Sequence, residues 1–169
     1  HHHMLKILTK DDPLLRRIAT DLAESEFGSA KLKNELQAMR ETLENFDVGI
    51  ALAAPQIGLS KRIFIISEKI NGDREAKIKN LTFINPQIKR ESKKLLTMEE
   101  GCLSLRNIYG ETKRREKVTV QAQDENGKKF QYHGSGIIAQ IFQHEIDHLN
   151  GILFCDHAKE LHEITPPKV

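Results

Sequence analysis

The sequence predicts an α+β fold, a single compact domain in which antiparallel strands pack around a central helix carrying the pattern HExxH. Three observations point there. Apolar residues at Leu32, Leu36, Met39, Leu43 and Phe46 are spaced four, three, four and three, one stripe along a helix. A second helical pattern runs from Ile137 to Asn150 and stops at Gly151. Between and around them lie short apolar or alternating segments in no regular strand–helix alternation, which argues against a parallel α/β sheet.

Element by element, Leu5 to Leu8 is a strand candidate, and Asp12–Pro13 opens a turn or short helix over Leu14, Leu15, Ile18 and Leu22. Ser29 is placed to cap the first long helix. The run Val48 to Gly58 is apolar but broken by Gly49, Pro55 and Gly58, so it is expected to be extended. Strands are expected at Arg62–Ser67 and Leu81–Ile84, with the polar stretch Glu68–Lys77 as a surface loop. Val118, Val120 and Ala122, the turn residues Asn126–Gly127, and Phe130 with Tyr132 outline a hairpin.

Composition bounds the function. A chain of 169 residues buries roughly 70% of its unfolded surface around one core, so residues 4–169 are expected to form one domain. His1–His3 read as the remnant of a purification tag. With 26 basic and 24 acidic residues the formal net charge is +2, which argues against direct nucleic-acid binding. No apolar run approaches the roughly 20 residues of a membrane span. Two cysteines make no disulfide framework, so each is read as packing, reactivity or metal chemistry.

The chemistry concentrates in His144-Glu145-Ile146-Asp147-His148. Residues four apart stack on one helix face, so the two imidazoles can meet one metal ion with Glu145 beside it to handle protons. Catalytic metal sites usually have a third protein ligand. Two candidates fit from spacing alone: a later carboxylate, Glu160 or Glu163, or Cys102, which sits beside Gly101. Cys155, His133, His157 and His162 are read as packing or surface residues.

Three segments resemble the motifs of peptide deformylases, in the same order: Gly49-Ile50-Ala51-Leu52-Ala53-Ala54-Pro55-Gln56, Glu100-Gly101-Cys102-Leu103-Ser104 and Gln143-His144-Glu145-Ile146-Asp147-His148. The resemblance implies a metal-dependent hydrolase that removes the N-formyl group from N-terminal formylmethionine and releases formate. It implies Cys102, His144 and His148 as ligands of one divalent ion, Fe(II) in the cell with Zn, Ni or Co as substitutes. It also implies Glu145 as acid and base, with the Gln56 amide and the Leu103 N–H polarising the formyl oxygen. Gly49, Ile50, Ala51, Met98, Gly101, Ile137 and Ile141 match substrate-binding positions. The implied partners are formylmethionyl peptides and nascent chains, with transient ribosome association and a cytoplasmic or organellar setting. The competing readings are a catalytically silent relative that binds nascent N-termini, and a zinc peptidase with a carboxylate third ligand.

The chain departs from the family pattern at Ala51, where a second Gly is usual, at Leu105–Arg106, where an apolar residue and Pro are common, and at Gln140. A positive φ at Ala51 would bring about 1 kcal/mol of strain and narrow the groove. Arg106 is expected to line the groove and alter preference beyond the first residue.

Overall fold

The computed structural model describes residues 5–72, 74–75 and 77–164, so the three leading histidines and the tail after Ile164 lie outside the described residues. In chain order the main elements are α1 (Ala30–Glu44), β1 (Ala51–Ala53), β2 (Ile63–Ile66), β3 (Thr82–Glu91), β4 (Leu95–Cys102), β5 (Leu105–Arg115), β6 (Lys117–Gln123), β7 (Lys129–Ser135), α2 (Ile137–Leu149) and β8 (Lys159–Glu163). They form two antiparallel sheets, one ordered β1-β2-β3-β6-β7 and the other β4-β5-β8.

The larger sheet is covered on both faces, and β2 explains how. All four of its residues are buried, the pattern expected of a strand with no solvent face. Because successive side chains alternate, Ile63 and Ile65 join the α1 residues Leu32, Leu36, Met39 and Leu43 in one core. Phe64 and Ile66 join the α2 residues Ile138, Ile141, Phe142 and Ile146 in another. Phe64 and Phe83 stack with centroids 4.6 Å apart, and Phe142 reaches down from α2 to 5.2 Å from Phe83.

Both helices begin and end where local chemistry dictates. The Ser29 hydroxyl accepts from the Leu32 N–H at 3.1 Å and caps α1. After α2, Gly151 takes φ +76°, and a Cβ there would lie 2.5 Å from the Arg16 carbonyl oxygen. Only Gly fits that stop. Helix α2 is buried on nearly all sides, as a helix sandwiched between two sheets must be. That burial keeps water from its polar side chains and makes them the core of the site. Among the described residues no helix is long and apolar enough to cross a membrane.

The expected elements hold with several corrections. Leu5–Leu8 joins no strand; Leu8 N–H donates to the Gln56 carbonyl and Lys10 N–H to that of Ser104, so the segment runs across two site loops instead. The helix after Pro13 stops at Arg16 as a single 3₁₀ turn. The segment Val48–Gly58 is extended only at β1, then closes into a 3₁₀ turn at Ala54–Ile57, and a further 3₁₀ turn spans Glu68–Asn71. Strand β3 continues past Ile84 to Glu91 by shifting register around Asn85, which takes φ 51°, and Pro86. Strands β4, β5 and β8 were not expected from the sequence.

One irregularity shapes the site. Gly101 pairs with Tyr109 but Cys102 pairs with Leu105, so one step along β4 spans four along β5. Residues 106–108 therefore bulge out of the ladder, with Asn107 at φ 65°.

Candidate metal centre and its cavity

Helix α2 and the end of β4 bring together Cys102, His144 and His148, whose ligand atoms lie within 4.8 Å of one another. The Cys102 sulfur is 3.2 Å from His148 Nε2. A thiolate and two imidazoles spaced in this way fit a divalent transition-metal ion, for which metal–ligand bonds of about 2.0–2.3 Å are usual. The alternative third ligands fall away. Glu160 and Glu163 lie on β8, an exposed strand paired with β5, and neither joins the cluster. His133, His157 and His162 also stay outside it, and Cys155 packs beside Leu15, Leu105 and Leu153.

The imidazoles are held from behind. His144 Nδ1 is 2.7 Å from Glu100 Oε2, which turns Nε2 toward the cluster. Glu100 is itself gripped by Arg114, with Nε 3.0 Å from Oε1 and Nη2 2.5 Å from Oε2, and accepts from the Thr112 hydroxyl at 2.9 Å. Arg114 also reaches Asp147 on α2 at 2.8 Å. Burial opposes the charge on Glu100, but the His144 and Arg114 contacts overcome it and hold the carboxyl well below the usual carboxylate range. Burial drives His148 in the direction of the neutral imidazole, the form that ligates metal, and the charge on His144 adds to that push.

Glu145 is only 4% exposed, and its Oε1 has no hydrogen-bond partner among the described residues. Its Oε2 lies 3.8 Å from His144 Nε2. Burial pushes the carboxyl up to about 7 despite the opposing pull of His144. An unpartnered buried carboxyl that titrates near neutrality is suited to passing a proton and poorly suited to a structural role.

Gln56 is fixed by its own turn. Its Oε1 accepts from Ala53 N–H at 2.9 Å, so the amide nitrogen must face the other way. Nε2 donates to Ser104 Oγ at 3.1 Å and points at the Cys102 sulfur at 3.5 Å.

These groups border a cavity of about 310 Å³. Ile50, Ala51, Ile137 and Ile141 give it apolar walls, and Gln56, Gly101, Cys102, Leu103, His144 and Glu145 lie along its polar side. Gly49 lines it too, and a Cβ there would meet the Leu103, Leu43 and Phe46 side chains at 3.1–3.3 Å. At Gly101 a Cβ would lie 2.5 Å from the Tyr109 ring, so Gly101 lets that ring lie against the strand. Met98 immediately precedes Glu99, the first β4 residue to border the cavity, and is paired with Thr112. Ala51 carries no positive φ, so its methyl sits in an ordinary strand without strain. Gln140 turns its amide into the network, donating to the Glu99 carbonyl at 2.9 Å and Glu100 Oε1 at 3.2 Å. Sequence reasoning missed Arg114 and Thr112; only their alternation with exposed neighbours along β5 hinted that they face inward.

Comparison with known proteins agrees with this geometry. The family model described as polypeptide deformylase matches residues 4–163. Peptide deformylase 2 of Clostridium acetobutylicum is 40% identical over 156 residues, 92% of this chain and 95% of its own. The peptide deformylase of Rhizobium meliloti is 37% identical over 89% of this chain and 82% of its own. Among solved structures, the peptide deformylase of Legionella pneumophila superposes with TM-score 0.81 at 39% identity, covering 93% of this chain and 87% of that one. The actinonin-bound class I type b peptide deformylase of Acinetobacter baumannii gives 0.82 at 32% identity, covering 92% and 99%. With a family match across nearly its whole length and the cysteine-and-two-histidine cluster on its HExxH helix, the chain belongs to the polypeptide deformylase family.

Proposed function

We propose that this chain hydrolyses the N-formyl group from the formylmethionine that begins newly made proteins, yielding formate and a free amine. One observation carries the reading: a buried carboxyl with an unpartnered oxygen stands beside a Cys/His/His cluster in a cavity with apolar walls. Cys102, His144 and His148 would hold one divalent ion, which we assign as Fe(II) in the cell, with Zn, Ni or Co able to replace it. When bound, such an ion polarises a carbonyl and brings the pKa of water close to neutrality.

The remaining work falls to the chain's own side chains. Ile50, Met98, Ile137 and Ile141 receive the methionine side chain, while the backbone of Gly49, Ile50, Ala51 and Gly101 flanks the peptide. The Gln56 amide and the Leu103 N–H stabilise the negative charge that grows on the formyl oxygen as water oxygen bonds to the formyl carbon, an effect worth about 3–4 kcal/mol per well-placed donor. Glu145 takes the proton from that water and delivers it to the amide nitrogen as the C–N bond breaks. Charge stays balanced because the proton lost by water is the one the leaving amine gains. Nascent chains in the cytoplasm or an organelle are the expected substrates, and transient ribosome association would supply them.

The test is direct. Anaerobically iron-loaded protein is expected to release formate from formyl-Met-Ala-Ser and to leave acetyl-Met-Ala-Ser intact. Absence of formate from fully metallated protein would instead support a silent binder of N-termini. Ala51, one of the two departures that motivate that alternative, is unstrained.

A further inference from the structure

The rim of the cavity carries a cation that the chemistry above does not use. Arg106 lies in the three-residue bulge of β5, opposite the step from Gly101 to Cys102. Bulges re-aim side chains, and here the side chain turns to the cavity mouth, where it lines the wall together with Phe46. Its guanidinium carbon stands 5.4 Å from the Phe46 ring centroid. That stacking limits the rotamers of a long side chain, so less freedom is lost when a ligand engages it.

The same guanidinium has no carboxylate partner among the described residues, although Arg16, Arg62, Arg114 and Arg115 each have one. Arg106 is exposed. The other exposed charge lining the cavity, Glu99, lies on β4 and has His162 Nε2 3.7 Å away. Phe46 and Leu103 flank Gly49 at one wall, and Ile137 and Ile141 line the cavity from α2.

We propose that Arg106 selects formylated chains that carry an acidic side chain within the two residues after methionine. This rests on the deformylase reading and assigns it a substrate class. A fixed guanidinium offers a planar fork to a carboxylate, and a partly exposed pair of this kind is worth up to about a fivefold preference. The preference acts on kcat/KM through KM, because Arg106 touches no reacting atom, and it weakens with salt because the rim is open to solvent.

The experiment measures kcat/KM for formyl-Met-Asp-Ala, formyl-Met-Ala-Asp, their Lys counterparts and formyl-Met-Ala-Ala at low and high salt. Iron-loaded parent, Arg106→Ala, Arg106→Glu and Glu99→Gln proteins are compared. The expected result is an Asp-over-Lys ratio of about five at one of the two positions in the parent. It should fall close to one in Arg106→Ala, invert in Arg106→Glu and shrink at high salt in the parent. A ratio that is unchanged by both Arg106 substitutions, or that is set by Glu99→Gln instead, overturns the proposal. Cleavage of formyl-Met-Ala-Ala without charge preference defeats this inference alone, whereas failure to cleave any formyl peptide defeats the deformylase reading and this inference with it.

Discussion

Replacing Glu145 with Gln is expected to lower formate release by about 10²–10⁴-fold while the protein keeps its metal. Gln preserves the shape of a side chain that is only 4% exposed, so packing is undisturbed. What disappears is a group that can both accept and return a proton. Because the candidate ligand atoms belong to Cys102, His144 and His148, binding and turnover should separate: unchanged metal content, collapsed kcat. Undiminished turnover would remove Glu145 from the role assigned to it. A second effect has the opposite sign. A carboxyl pushed up to about 7 by burial stabilises the fold fully below its unfolded value and loses that contribution as pH rises through 7. In metal-stripped protein, Glu145→Gln should therefore gain stability on the parent as pH rises from about 4 to about 7, as read by urea denaturation.

The largest expected loss of stability comes from Arg114→Met. Arg114 and Glu100 are 6% and 4% exposed at their side chains and share two contacts of 2.5 and 3.0 Å. Removing one partner of a buried ion pair strands the other charge, which costs about 3–5 kcal/mol. Thr112 and Gln140 remain as donors to Glu100, which places the outcome toward the lower end of that range. Loss of this support behind His144 should also weaken metal binding by about 10–100-fold. The effect has a pH signature. Glu100 is held below the usual carboxylate range, so its contribution is present above its unfolded pKa of roughly 4.3 and is lost as pH falls toward the folded value. Arg114→Met weakens that hold, so the stability gap between parent and variant should be widest near neutrality and narrow in acid. Equal urea midpoints at pH 7 would contradict the ion pair's importance.

The same network shows why part of the fold was illegible in the sequence. Helices α1 and α2 and the hairpin β6–β7 bury apolar side chains, so their periodicities of 3.6 and 2 stand out, and Ser29 and Gly151 mark the ends. Strands β4 and β5 obey the same alternation with the wrong chemistry. Apart from Leu105 and Gly110, their buried positions are Glu100, Thr112 and Arg114, because this face serves the histidines of α2 more than a hydrophobic core. A hydrophobicity reading passes over such strands. Strand β8 is exposed along its whole length and has no buried face to announce it.

The site was more legible than the fold around it. His144, Glu145 and His148 follow from helical spacing, whereas spacing alone left Cys102 level with Glu160 and Glu163. Chain topology decides between them, since β4 ends against α2 and β8 pairs on the far side of β5.

The central claim is a three-ligand centre in which Cys102, and no carboxylate, completes the histidine pair. Metal content after anaerobic iron loading and desalting tests it directly, with parent, Cys102→Ala, Glu160→Gln and Glu163→Gln proteins compared. The account predicts about one ion per chain in the parent and in both glutamate variants, and loss of the ion in Cys102→Ala. Full metal content in Cys102→Ala, or its loss in Glu160→Gln or Glu163→Gln, would contradict it.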